Sequence, residues 1–165
     1  MFYAAMREKV TLVGAAAGAL AIGLVVYLAD RPVGSAWLLP WAGALQAHPG
    51  GTTLAPWLPT AVHAFAFALL SALVLPPRRS LRTLACAGWV LADLLFELGQ
   101  HPALAAPLSR GLEALLPAAL AAPLARYFQA GTFDVADLGA ALLGGMAAWL
   151  LLRGTETAAE IGHGA

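Results

Sequence analysis

Long stretches without a charged side chain alternate along this chain with short clusters of Arg, Pro and Gly. A helix of about 20 apolar residues spans a bilayer, so the pattern predicts transmembrane helices. Residues 10–29 are uncharged and follow a head containing Arg7, Glu8 and Lys9. A signal peptide would read similarly, but this core is longer than a typical signal core and no clear small-x-small cleavage site follows it. Residues 10–29 are therefore the first expected span. Residues 58–75, anchored by Trp57, form the second, stopped by Pro76, Pro77, Arg78, Arg79 and Arg82. A third covers about 83–99. A fourth covers about 133–152, ending at Arg153 and Gly154, with a short polar tail over 154–165 whose His163 reads as solvated.

Between these spans the pattern breaks down. Residues 35–46 hold Trp37, Pro40 and Trp41 and are short for a crossing, which suits an interfacial or re-entrant segment. Residues 48–53 read as a loop from their Pro, Gly and Thr content. Residues 101–129 are rich in Ala and Leu but broken by Pro102, Pro107, Pro117 and Pro123. The missing N–H groups argue against one continuous crossing helix there. Short helices along the interface are expected, with Leu112, Leu115, Leu116 and Leu120 turned to lipid or bundle; a bent hairpin that crosses is the alternative.

Composition sharpens the class. Apolar residues make up 61% and charged residues 11% of 165 residues, against about 25% charged in soluble domains. Mean hydropathy is +0.77. The expected fold is all-α: a single polytopic membrane domain of four transmembrane helices plus interfacial or re-entrant segments. A formal net charge of +0 leaves nothing to neutralise a run of phosphates, which argues against a nucleic-acid partner. The single cysteine, Cys86, excludes an internal disulfide and reads as a small buried hydrophobe. With the N-terminus inside, Arg7, Lys9, Arg78, Arg79, Arg82 and Arg153 face the cytoplasm, while Arg31, Arg110 and Arg126 lie outside. That bias places both termini in the cytoplasm. Gly14 and Gly18 in the first span, and Gly144 and Gly145 in the last, are candidate helix-packing positions. Packing within the chain is expected for the first pair, with homodimerisation as the alternative.

The chemistry-bearing residues stand out because they interrupt apolar helices. Asp93, Glu97 and Gln100 recur at helical spacing and share a stripe. A carboxylate at the bilayer core costs about 2.5–3.5 kcal/mol on the insertion scale, so such groups face a protein interior or a wet cavity. His63 falls about 7 Å below the outer end of the second span by helix rise. Asp134 and Asp137 open the fourth. His63, Asp93, Glu97, Gln100, Asp134 and Asp137 are thus expected at one level in the outer half of the bilayer. Structural readings stand beside this one. Asp134 suits an N-cap and Asp137 the first turn of a helix. Gln100 and His101 can mark the water interface, and His63 can bond a backbone carbonyl. His63, Glu97 and Asp137 could hold a divalent metal as nitrogen and carboxylate ligands, although no metal-binding spacing supports it. No cofactor fingerprint occurs.

At these residues the chain resembles the VanZ-like family of small bacterial membrane proteins. Residues 58–67 look like its His-bearing span, Glu97-Leu98-Gly99-Gln100 matches its E-x-x-Q, and Asp137 with Gly144 matches the Asp and Gly of its last motif. Ala141 stands where the family often has Asn, and Gly131-Thr132 where an Arg commonly precedes the Asp. The resemblance implies a bacterial inner-membrane protein, with some relatives linked to glycopeptide (teicoplanin) resistance. The expected function is a non-enzymatic pocket opening to the outer leaflet that engages an envelope lipid or a glycopeptide-type ligand. One rival is a metal- or carboxylate-dependent hydrolase or transferase acting on a lipid headgroup. Another is an accessory subunit of a larger membrane complex, or a homo-oligomer, docking through the Gly/Ala-rich faces. Membrane lipids are the expected surroundings in every case.

Overall fold

Apolar residues at helical spacing produce only helices among the described residues, which in the computed structural model are 2–29 and 57–161. The segments expected at 35–46 and 48–53, and His163, lie outside the described residues. The helices are α1 (Phe2–Ala29), α2 (Leu58–Val74), α3 (Arg79–Gly99), α4 (Pro102–Leu115), α5 (Ala118–Ala130) and α6 (Val135–Ile161).

Three boundaries differ from expectation, each for a local reason. α1 begins before Val10 and takes in the charged head, because Glu8 has a partner inside the fold. α3 starts at Arg79, since Arg82 is buried at 6% exposure and its Nη2 donates to Glu8 Oε1 at 2.5 Å. α6 does not end at Arg153 but continues through Ile161, so most of the expected polar tail is helical. No proline interrupts it. The Thr155 hydroxyl donates back to the Leu152 carbonyl at 2.8 Å, and the Arg153 guanidinium lies 4.3 Å over the Trp149 ring.

Contacts fix the directions. Gly23 of α1 lies against Val62 near the start of α2, so these two run antiparallel. Glu8 meets Arg82, so α1 and α3 run the same way. Thr60 of α2 bonds Asp137 of α6, whereas Glu97 at the end of α3 bonds Asp134 just before α6. α6 therefore runs with α2 and against α3. The core between them is made of small residues and a few leucines: Leu12, Ala16, Ala66, Leu69, Ala72, Cys86, Ala148 and Leu152.

Small side chains there allow close approach, and two adjacent glycines take it furthest. A Cβ on Gly144 would collide with the Ala61 backbone carbonyl, and one on Gly145 with the Val90 side chain. α6 is thereby seated against α2 and α3 at once. Gly14 and Gly18 behave differently. Both are exposed, with open space where a Cβ would be, while Leu12 and Ala16 face the core. Packing of this pair against another helix of the chain is not found among the described residues.

The proline-rich region folds as two helices broken at Pro117. They pair with each other: the Ser109 hydroxyl donates to the Ala105 carbonyl at 2.7 Å and reaches the Ala125 carbonyl at 3.4 Å. Pro107 and Pro123 sit inside these helices on exposed faces. The hairpin touches α3 where Phe128 and Leu108 close over Gly99.

Two helices are long and apolar enough to cross a membrane, over Met6–Val26 and Val135–Thr155. Neither is a buried core helix, since only 17% and 33% of their apolar windows are covered by the rest of the chain. Val13, Ile22, Leu142, Leu143 and Leu150 are all exposed. So much contiguous apolar surface calls for non-aqueous surroundings or a partner.

The glycine contacts make a prediction. Gly144→Val should destabilise the fold by about 1–3 kcal/mol through overpacking against backbone. Gly139→Ala, where nothing lies within 4 Å, should stabilise it by about 0.5–1 kcal/mol. Thermal unfolding in detergent measures both, and equal effects would contradict the close α2–α6 approach.

Candidate functional site

The start of α2, the end of α3 and the start of α6 meet at one end of the bundle, and their polar residues sort into two groups. The first group secures α6. Asp134 precedes the helix, and its Oδ1 accepts from the Ala136 N–H at 2.8 Å, as an N-cap does. In a self-contained capping box, the residue three positions later would return a carboxylate to the cap's own N–H. Here that residue, Asp137, turns to α2 and accepts from the Thr60 hydroxyl at 2.9 Å. Glu97 of α3 takes its place: the Asp134 N–H donates to Glu97 Oε1 at 2.5 Å. Glu97 is buried, at 8% exposure. The N-terminus of α6 is thus capped jointly by its own residue and by a neighbouring helix.

The second group pairs α2 with α3. His63 Nδ1 lies 2.7 Å from Asp93 Oδ1. A carboxylate only accepts, so Nδ1 carries the hydrogen of this bond. The Asp93 side chain is 9% exposed and that of His63 43%. Asp93 Oδ2 is buried with no hydrogen-bond partner among the described residues. Aromatic rings flank the pair. Phe67 stands 4.6 Å from the imidazole, and Trp89 meets it edge-on at 5.5 Å. The Trp89 indole is itself fixed, donating from Nε1 to the Ser71 hydroxyl at 2.8 Å.

This pair opens into a cleft of about 540 Å³ between α2 and α3, lined by Pro59, Thr60, His63, Trp89, Asp93, Phe96, Glu97 and Tyr127. Tyr127 arrives from α5, its ring set edge-on to Phe96 at 5.6 Å. Its hydroxyl accepts from Gln100 Nε2 at 3.0 Å. Burial, then the carboxylates Glu97 and Asp93, push its phenol above the ordinary tyrosine value, against the opposing pull of the Gln100 bond. It therefore stays a neutral hydroxyl.

Of the six expected site residues, His63, Asp93 and Glu97 line the cleft. Asp137 stands behind it through Thr60, and Asp134 behind it through Glu97. Gln100 does not continue the stripe. It caps the C-terminus of α3, packs against Gly131 and turns to Tyr127. His101 caps α4, its Nδ1 accepting from the Ala103 N–H at 3.2 Å. The metal trio His63, Glu97 and Asp137 is dispersed among separate bonds, and no cluster of three metal-capable side chains occurs among the described residues.

The cleft also uses Trp89, Phe96, Thr60 and Tyr127, which the polar pattern did not single out. Trp89 and Phe96 were within reach of it: positions 89, 93, 96 and 97 share one helical face. Tyr127 carried no comparable signal, because it reaches the cleft only through the turn between α4 and α5. No protein-family model, curated protein or solved structure matches the chain.

The shared cap predicts a coupled cost. Asp134→Ala should lose about 1 kcal/mol of stability, and Glu97→Ala about 1–3 kcal/mol by stranding a backbone donor. The double variant should lose less than the sum, because both act on one helix end. Unfolding midpoints for the three variants check this, and an unchanged midpoint for Glu97→Ala would contradict the cap.

Proposed function

We propose that this chain is a four-span membrane protein of the VanZ-like kind whose α2–α3 cleft receives the polar head of an envelope lipid or a glycopeptide-type ligand from the outer leaflet. α1, α2, α3 and α6 are the spans, with both termini in the cytoplasm of a bacterium and the membrane its inner one. The α4–α5 hairpin lies at the outer surface. The alternating helix directions support this topology, as does the gathering of Glu8, Arg82 and Thr155 at the opposite end from the cleft. Six of the nine Lys and Arg residues belong to that end of the proposed topology, which agrees with the positive-inside bias.

One observation carries the proposal: a half-exposed imidazole, held by a buried carboxylate, stands in a cleft rimmed by aromatic rings. A polar pair at membrane depth has a functional reason more often than a structural one. The helix-capping acids are explained without a ligand. His63 is not, because its Nε2 bonds to nothing among the described residues.

The same pair favours a second reading, hydrolysis of a lipid headgroup. An Asp-held imidazole whose Nε2 has no bonding partner among the described residues is the arrangement of a general base. The hydroxyls at hand are engaged, Thr60 with Asp137 and Ser71 with Trp89. His63 would then take a proton from water as the water attacks the headgroup ester, and return it to the departing alcohol oxygen as the ester bond breaks.

Mass spectrometry of lipid retained by the purified protein separates these readings. A headgroup-binding protein should retain intact lipid, and His63→Ala or Asp93→Asn should reduce it about tenfold without loss of fold, the penalty of stranding a buried polar partner. Release of a cleaved headgroup on incubation with bilayer lipids, abolished by His63→Ala, would support hydrolysis instead. Retention unaffected by both variants would overturn the proposal.

A further inference from the structure

A second cavity adjoins the cleft. It is a groove of about 500 Å³ lower between α2 and α3, bounded by Ser71 and Val74 on one side and by Leu81, Leu84, Gly88 and Ala92 on the other. Its lining is apolar apart from Ser71, whose hydroxyl is occupied by the Trp89 indole. Trp89 borders both cavities, and Ala92 of the groove is next in sequence to Asp93 of the cleft. Along α3 the groove residues recur three or four apart, on the face that carries Trp89 and leads on to the cleft. Leu81 to Ala92 is about 16 Å by helix rise, close to half of a hydrocarbon core about 30 Å thick. The groove has the length of one leaflet and the polarity of a chain site.

The cleft specifies the head. Asp93 and Glu97 line it, Asp137 lies one hydrogen bond behind, and no Lys or Arg is among its described lining residues. Asp93 is nine-tenths buried, and its Oδ2 has no partner among the described residues. A phosphate entering there would meet two carboxylates and no Lys or Arg among the described lining residues to hold it. An ammonium would meet complementary charge, together with the rings of Trp89, Phe96 and Tyr127, whose faces attract cations.

Resting on the headgroup reading above, we infer that cleft and groove form one site for a cationic amphiphile. Its ammonium sits between His63, Asp93 and Glu97, and its single apolar chain lies past Trp89 along α3 toward Leu81. Trp89, tied across to Ser71, divides head from chain.

The test is equilibrium binding of radiolabelled dodecylamine to the full chain in neutral maltoside micelles. Dodecyl phosphate and tetramethylammonium serve as competitors. Saturable binding is expected, with dodecyl phosphate and tetramethylammonium each at least about tenfold weaker, the one for its charge and the other for want of a chain. Asp93→Asn should weaken dodecylamine about tenfold. Gly88→Leu should do the same by filling the groove, because nothing lies within 4 Å of a Cβ at Gly88 and leucine favours the helix by about 1 kcal/mol. Tetramethylammonium competing as well as dodecylamine, or unchanged binding in Gly88→Leu, would overturn the groove as the chain site. Dodecyl phosphate binding more tightly and depending on His63 would overturn the ammonium head while leaving the headgroup reading standing. Binding of neither amphiphile would overturn both.

Discussion

Carboxylates among apolar helices need donors, and the arrangement of this bundle follows from how each one finds them. Glu8 is met by Arg82, Glu97 by the backbone N–H of Asp134, and Asp137 by the Thr60 hydroxyl. Every one of these bonds joins two different helices or the lead-in to one. Acid placement and helix placement are therefore one problem with one solution. Asp93 is the exception in degree: His63 satisfies one oxygen and the other is left buried without a donor among the described residues. The fold accounts for Glu8, Glu97 and Asp137 as mortar between helices. For Asp93 it leaves an imidazole turned to a cleft.

Close helix approach makes these bonds reachable. α6 touches α2 and α3 together because Gly144 and Gly145 present bare backbone to Ala61 and Val90. With a side chain at either position the helices would separate. The bonds from Asp137 to Thr60 and from Glu97 to Asp134 would then lengthen beyond use, since hydrogen bonds weaken steeply outside a narrow range of geometry. The buried Arg82–Glu8 pair does the corresponding work at the opposite end. A bundle whose core is largely alanine has little dispersion per residue to hold it, so a polar lock at each end matters more than it would in a leucine-rich one.

Much of this was legible before the structure. Uninterrupted apolar stretches located α1, α2 and α6, and the run of prolines over 101–129 announced short helices there, although Pro107 and Pro123 do not interrupt theirs. His63, Asp93 and Glu97 were visible as interruptions of apolar helices, and they do line one cavity. What escaped was whatever depended on a partner. α1 and α3 reach into charged segments because Glu8 and Arg82 neutralise each other, a pairing across 74 positions that no local pattern reveals. Gln100 leaves the stripe because the helix ends beneath it. Tyr127 enters the cleft by way of a hairpin. Gly14 and Gly18 had the spacing of a packing seam, but spacing alone does not say which side of a helix faces the core; Leu12 and Ala16 decided that.

The pairing of one histidine in α2 with one acid in α3 is what turns a set of helices into a site. Nitrogen-15 NMR of His63 in lipid bilayers tests it most directly. The pairing predicts a hydrogen on Nδ1, with the Nδ1 signal shifted by its carboxylate partner and losing that shift in Asp93→Asn. An Nδ1 without a hydrogen, or a spectrum indifferent to the residue at position 93, would contradict it.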